Sequence, residues 1–332
     1  MKRLGHFPTL LALCVLAALL PLTLASAQSC PFPATGGVNY WPNGRIPFVF
    51  HPGFANAGRP AVREAAKDWM KSGGAVAFVE YPYPYAGGGP YVEIQAAAPA
   101  DSNHSEVGPG TPTVTTLHTN IAVGNRSHVI HELGHAIGYP HEQSRPDRES
   151  YVSVQTNHID PASYSANFGV SPWPCWPPGT ILTPYDYSSI MHYDWCLTSV
   201  VGCSLGIKGQ TDTMLAVDTS VQYSVMGDWV GNEHAGLSAP DKARIQRVYG
   251  KAIWVDINSP CLFDNGGFNC DFPATAGPYK SLLEAIAAVP TLSDPPTTLM
   301  IKTGTYTHPS GQTLRIDKPM KLVAWEITAR IE

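Results

Sequence analysis

The sequence predicts an α+β fold, and three observations carry that prediction. Strand-like segments gather in the first part of the chain, between residues 38 and 122. Mostly irregular sequence follows and is closed by one well-marked helix near residue 250, so strands and helices do not alternate regularly. The composition agrees: of 332 residues, 30 are Gly, 31 are Pro and 14% are charged, which excludes a coiled coil or a long helical bundle. The 44% apolar share is enough for a sizeable core and excludes global disorder.

Taken in order, residues 1–27 read as a signal peptide rather than as part of the fold. Lys2 and Arg3 precede an apolar run over 7–25, and Ala25-Ser26-Ala27 is a small-residue cleavage site. The mature chain is therefore expected to begin at Gln28, to be secreted, and to have no membrane segment once the signal is removed. Residues 38–50 end in an alternating apolar strand after a Pro-Asn-Gly turn. Residues 59–71 form an amphipathic helix with Pro60 in its first turn and Ala65, Ala66, Trp69 and Met70 available to a core. Strands are expected over 76–81, 91–95 and 113–122, the last rich in β-branched residues, and a helix over 127–137. The chain then reads as mostly loop until a helix that has Ser238 as its N-cap, Asp241 three residues on, and Gly250 as its stop. This first unit spans 28–251, and a second, over 254–332, has a different texture.

A net charge of -5 with no Lys/Arg run excludes nucleic acid as a partner. Of seven cysteines, Cys14 leaves with the signal. The other six read as disulfides in an exported chain. The simplest partition pairs Cys196 with Cys203 and Cys261 with Cys270, leaving Cys30 for Cys175.

The chemistry concentrates in HELGHAIGYPHEQSRPDRE, residues 131–149. His131 and His135 are four apart, so a helix puts both imidazoles on one face, as two ligands of one tetrahedral Zn²⁺ require. Glu132 can reach the attacking water without taking a coordination position. Gly138 permits a helix exit at positive φ, after which the chain can return His141 to the same ion. Three neutral nitrogens leave a fourth position open, the stoichiometry of a catalytic site. The pair of histidines alone is a weak motif; Gly138 and His141 make it a specific one. Further on, Ser188-Ser189-Ile190-Met191-His192-Tyr193 supplies Met191, which beside such a site reads as a soft floor under the imidazoles. By itself Met191 would be an ordinary core methionine.

These segments resemble the astacin family of zinc metalloendopeptidases. The likeness rests on His131, Glu132, His135, Gly138, His141, Glu142, Arg145, Asp147 and Arg148, and on Ser189-Ile190-Met191-His192-Tyr193, which is similar to the family's Met-turn. Weaker similarity extends it from about 38 to 250, through Trp41, Asn167-Phe168 and Leu237-Ser238 among others. The resemblance implies a zincin fold of the metzincin kind: a mixed five-stranded sheet, an active-site helix and a Met-turn, with a cleft between two subdomains. It implies one catalytic zinc held by His131, His135 and His141, Glu132 as general base and then proton donor, and Met191, Glu142 and Gly138 as structural support. Tyr193 takes the place of a tyrosine that ligates zinc at rest and swings to stabilise the oxyanion. The partner is then a protein or peptide substrate. In relatives the residue at the place of Glu142 pairs with the free mature N-terminus, which in this chain is expected at Gln28.

After residue 254 the sequence resembles the cap and first coil of a pectin-lyase-like parallel β-helix. A short helix over 281–289 is followed by strands near 298–301, 314–316 and 321–325, with Gly304-Thr305-Tyr306 between the first two. The segment offers a glycan contact as a further partner. The competing function is a secreted protein that has lost catalysis and presents this tail to a glycan.

Overall fold

The structure, a computed structural model, describes residues 40–96, 104–109, 114–119, 126–170, 183–196, 212–222, 225–227, 236–261, 263–268, 270, 276–293, 295–307, 314–326 and 329–331. The signal segment and Cys30, Cys175 and Cys203 lie outside them. Among the described residues no helix is long and apolar enough to cross a membrane.

The first unit opens with β1 (Arg45–Phe50), α1 (Arg59–Met70), β2 (Ala77–Glu80), β3 (Tyr91–Ala96), β4 (His104–Ser105) and β5 (Val114–Thr119). The strands form a mixed five-stranded sheet in the order β2-β1-β3-β5-β4. All neighbours run parallel except β4, which lies antiparallel to β5 at the edge. The apolar run of β1 is buried along almost its whole length, as a central strand of a covered parallel sheet must be.

Helix α2 (Arg126–Ile137) carries the histidine motif and packs beside α1. The indole of Trp69 on α1 donates to the Ile130 carbonyl at 2.9 Å, so the one buried N–H of that interface is satisfied. The C-terminal end of α2 is fixed in the same way, because Trp41 Nε1 donates to Ala136 O at 2.6 Å and Tyr249 Oη donates to Ile137 O at 2.7 Å. These bonds fill carbonyls that a helix end leaves orphaned.

The stretch expected to be mostly loop contains more order than its composition suggests. A β-ribbon joins β6 (Val152–Val154) to β7 (Met214–Ala216), and α3 spans Pro161–Phe168. Its start was written in the sequence as Asp160-Pro161: Asp160 accepts from Ala162 N at 3.0 Å, and Pro161 sits in the first turn. The helix α4 (Ala239–Tyr249) has the expected capping box between Ser238 and Asp241.

The tail has β8 (Ala252–Val255), β9 (Phe263–Asp264), β10 (Ala276–Gly277), α5 (Leu282–Ala288), β11 (Thr297–Ile301), β12 (Gly304–Tyr306), β13 (Met320–Ala324) and β14 (Ala329–Ile331). All its ladders are parallel: β13-β11-β8, β12-β14 and β10-β9. Two expectations are corrected. Residues 314–316 form no strand, and Gly304–Tyr306 is itself a strand, with Tyr306 inward and its hydroxyl donating to Lys302 O at 3.0 Å. Cys261 and Cys270 are bridged as expected, and Cys196 is also disulfide-bonded.

The tail is not hung on a linker. Trp254, Met300 and Val323 belong to the same buried cluster as Trp69 and Ile130. Backbone bonds cross the junction from Ala252 N to Gly73 O and from Ala75 N to Gly250 O, both 2.9 Å. Gly250 has φ +86°, and a Cβ there would lie 2.6 Å from Pro296 O, so only glycine makes this turn.

Candidate active site

Helix periodicity and the turn at Gly138 bring three imidazoles to one point. Gly138 has φ +122° and ends α2, with its N–H donating to His135 O at 2.8 Å. The chain then doubles back through Tyr139 and Pro140 to His141. One nitrogen from each of His131, His135 and His141 lies within 4.8 Å of the others. The His135 and His141 Nε2 atoms are 3.1 Å apart.

The opposite ring nitrogens are occupied. His131 Nδ1 donates to Ile190 O at 2.6 Å and His135 Nδ1 donates to Tyr139 O at 2.5 Å. Carbonyls can only accept, so both Nδ1 atoms carry the proton and both Nε2 lone pairs face inward. Burial depresses the basicity of all three rings, His135 to about 4, which keeps them in the neutral form that ligates a metal. The His135 Nε2 lone pair faces His141 Nε2 across 3.1 Å, so a cation at this point would meet both nitrogens. The donor set, three imidazoles of which His131 and His135 keep their second nitrogens on backbone carbonyls, suits Zn²⁺.

Glu132 stands beside the trio. Its Oε2 is buried with no partner in the protein, and burial pushes its carboxyl up to about 8. An Oε2 without a protein partner has lone pairs free to take a proton from water, and the raised basicity makes it the stronger acceptor once the carboxyl is ionised.

Met191 lies directly under α2. A Cβ on Gly134 would sit 2.4 Å from its Sδ and 2.9 Å from Trp69 Cζ2, so Gly134 is the notch into which the thioether fits. The turn around Met191 is held by Asp241, the same carboxylate that caps α4. Its Oδ1 accepts from Ser189 Oγ at 2.7 Å, while its Oδ2 accepts from Ile190 N at 3.0 Å and from Ser238 N at 3.1 Å. Met191 O in turn accepts from Glu142 N at 2.9 Å, tying the turn to the residue after the third histidine.

Glu142 is fully buried and lies in a cationic cage. Its Oε2 accepts from Arg244 at 2.5 Å, and its Oε1 accepts from Arg145 at 2.8 Å and from Asp186 N at 3.0 Å. Asp147 holds the other edge of Arg145 bidentately, at 2.8 Å for both bonds. The sequence marked Glu142 and Arg145 but gave no sign of Arg244, which sits 102 residues away and was read only as part of α4. The pairing of Glu142 with the mature N-terminus concerns residues outside those described.

Tyr193 is at the rim, its ring 4.2 Å from that of His141 and its hydroxyl donating to Asn167 Oδ1 at 2.9 Å. His192 turns away from the trio, with Nδ1 on Tyr193 O at 2.5 Å and Nε2 2.8 Å from Tyr185 Oη.

An α+β sheet-and-helix domain with a buried three-histidine centre on a helix and the chain's return turn defines the class of metal-dependent hydrolase scaffolds built on HExxH. Comparison with known proteins makes the class specific. The family described as Astacin (Peptidase family M12A) matches residues 35–250, and the chain belongs to that family. An astacin-like metalloendopeptidase of Mus musculus is 30% identical over 259 residues, covering 75% of this chain and 52% of the relative. High choriolytic enzyme 1 of Oryzias latipes is 51% identical over 65 residues, 20% of this chain. The solved structure of that hatching enzyme covers 67% of this chain and 99% of its own, with TM-score 0.51 and 24% identity, which speaks for the fold. The chain spans about half the length of the curated relatives that cover most of it.

Proposed function

We propose that this chain is a secreted zinc-dependent endopeptidase that acts on protein or peptide substrates. The observation that carries the proposal is the inward-facing trio of neutral imidazoles beside the unpartnered Glu132 oxygen. Zinc bound by His131, His135 and His141 would polarise the scissile carbonyl and make water acidic enough to attack at neutral pH.

The chain's own residues supply the rest. Glu132 takes a proton from the attacking water on Oε2 and returns it to the departing amide nitrogen. Tyr193, half-buried and with its phenol kept protonated by burial, donates a hydrogen bond to the oxygen where negative charge develops. The carbonyls of Ile190 and Tyr139 hold the ligand rings in orientation, and Met191 fills the space beneath. The division into a peptidase unit over 28–251 and a tail over 254–332 is part of the same reading. It is supported by the tail's own apolar cluster around Leu282, Ile286 and Leu299.

The intact trio and base favour this reading over a glycan-presenting protein without catalysis. Digestion of casein by the purified chain should be abolished by a chelator and restored by Zn²⁺. Glu132→Gln should keep one equivalent of zinc and lose nearly all turnover. Wild-type turnover in zinc-loaded Glu132→Gln would refute the assignment.

A further inference from the structure

Asn167 lies at the C-terminal end of α3, far from the histidine motif in sequence, yet its side-chain oxygen takes the phenol proton of Tyr193 at 2.9 Å. Both partners are fixed by one residue. The buried Gln143, two positions after His141, accepts from Tyr193 N at 3.0 Å and donates to Asn167 O at 3.3 Å. Arg148 adds a second tie, donating to Phe168 O and, at 3.2 Å, to Tyr164 Oη. Phe168, fully buried, stands edge-on to the Tyr193 ring at 6.0 Å. The far end of α3 is therefore locked onto the segment that carries Tyr193. The Asn167 amide is held where the phenol can reach it.

A phenol has one proton to donate. While Asn167 accepts it, the hydroxyl can neither bond a developing oxyanion nor give up its proton to become a metal ligand. The Asn167 oxygen thus competes with both.

We propose that Asn167 is a positioning residue that parks Tyr193 off the metal, and so sets how often its phenol is ligand, idle or oxyanion donor. This rests on the metalloendopeptidase reading of the site. One neutral hydrogen bond shifts such a competition by about two- to tenfold.

The test uses the full chain loaded with Cu²⁺ in place of Zn²⁺, because a phenolate on copper gives a visible charge-transfer band that imidazole and carboxylate do not. Asn167→Ala should strengthen that band about two- to tenfold per bound copper. Asn167→Asp, whose carboxylate is a stronger acceptor and holds the phenol protonated, should give a band no stronger than wild type. Adding Tyr193→Phe to Asn167→Ala should abolish the band. On the zinc enzyme, Asn167→Ala should change kcat with little change in KM, since freeing the phenol alters its share between metal and transition state and leaves substrate binding alone. A band of equal strength in wild type and Asn167→Ala at one copper per chain would overturn the proposal. So would the absence of any band in every variant. The band reports contact with the metal and not turnover, so failure here is separate from failure to cleave casein, which would strike the peptidase reading itself.

Discussion

Glu142→Gln should destabilise the protein sharply without touching a zinc ligand. Glu142 and Arg244 are both 0% exposed and 2.5 Å apart. The substitution leaves the Arg244 cation in the interior without that carboxylate. Breaking a buried pair from one side costs about 3–5 kcal/mol. Arg145 retains both bonds to Asp147, so only one of the two cations loses its main carboxylate. The lower end, about 3 kcal/mol, is therefore expected. At about 2–4 °C per kcal/mol for a domain of this size, Tm should fall by roughly 6–12 °C. Calorimetry on the zinc-loaded protein at neutral pH measures it. Replacing Arg244 by Met in the same chain should return much of the loss. The pH dependence has a definite sign. Burial alone would raise the Glu142 carboxyl, but Arg244 and Arg145 outweigh it and hold it below its ordinary value of 4.5. A depressed carboxyl stabilises the fold above its unfolded pKa and loses that contribution as pH falls through the folded one. The gap between wild type and Glu142→Gln should therefore be full near neutrality and close as pH is lowered below about 4.5. A Tm within 2 °C of wild type at neutral pH, or a gap that widens in acid, would refute the cage as a source of stability.

Tyr193→Phe keeps the ring against His141 but removes the donor, so kcat should drop roughly 10²-fold with KM nearly unchanged; steady-state kinetics on a fluorogenic peptide would check it. Gly134→Ala forces a methyl into Met191 Sδ and should cost about 1–3 kcal/mol by overpacking, seen as a lower Tm together with faster loss of zinc to a chelator. A chain ending at Lys251 should still bind zinc and cleave peptides, since every ligand precedes that point. It should also be less stable, because Trp254, Met300 and Val323 leave the shared core at about 1.5–3 kcal/mol for each buried side chain. Loss of zinc on truncation would show the boundary to be misplaced.

What the sequence disclosed follows the reach of its signals. His131, His135 and Gly138 sit within two turns of one helix, where spacing alone fixes geometry. His141 needs only the turn that Gly138 permits. Four of the five strands of the sheet were legible from alternating apolar or β-branched residues, while β4, only His104–Ser105, is too short and polar to leave such a pattern. Asp160-Pro161 was a readable helix start, but short polar residues after it hid α3 among loops. Asp241 was recognised for its local bond to Ser238. Its bonds to Ser189 and Ile190, some fifty residues away, leave no mark on composition or periodicity. Arg244 was hidden for the same reason, since a buried arginine on an amphipathic helix is indistinguishable in sequence from an exposed one. In the tail, Gly304-Thr305-Tyr306 is too short to read as a strand by pattern; its strand partner, Ala329–Ile331, lies near the other end of the segment.

The double use of Asp241 bears on the order in which a newly made chain assembles its candidate site. The helix that carries His131 and His135 can form early, from local bonds. The turn that supplies Met191 and the carbonyl of Ile190 gains its last ties when residue 241 arrives to bond Ser189 Oγ and Ile190 N. A nascent or partly folded chain thus has its metal ligands in hand while the platform that aims His131 is still unassembled. Completion of the candidate site is in this way tied to completion of the first unit, and a chain broken off before α4 would lack the carboxylate that bonds Ser189 and Ile190.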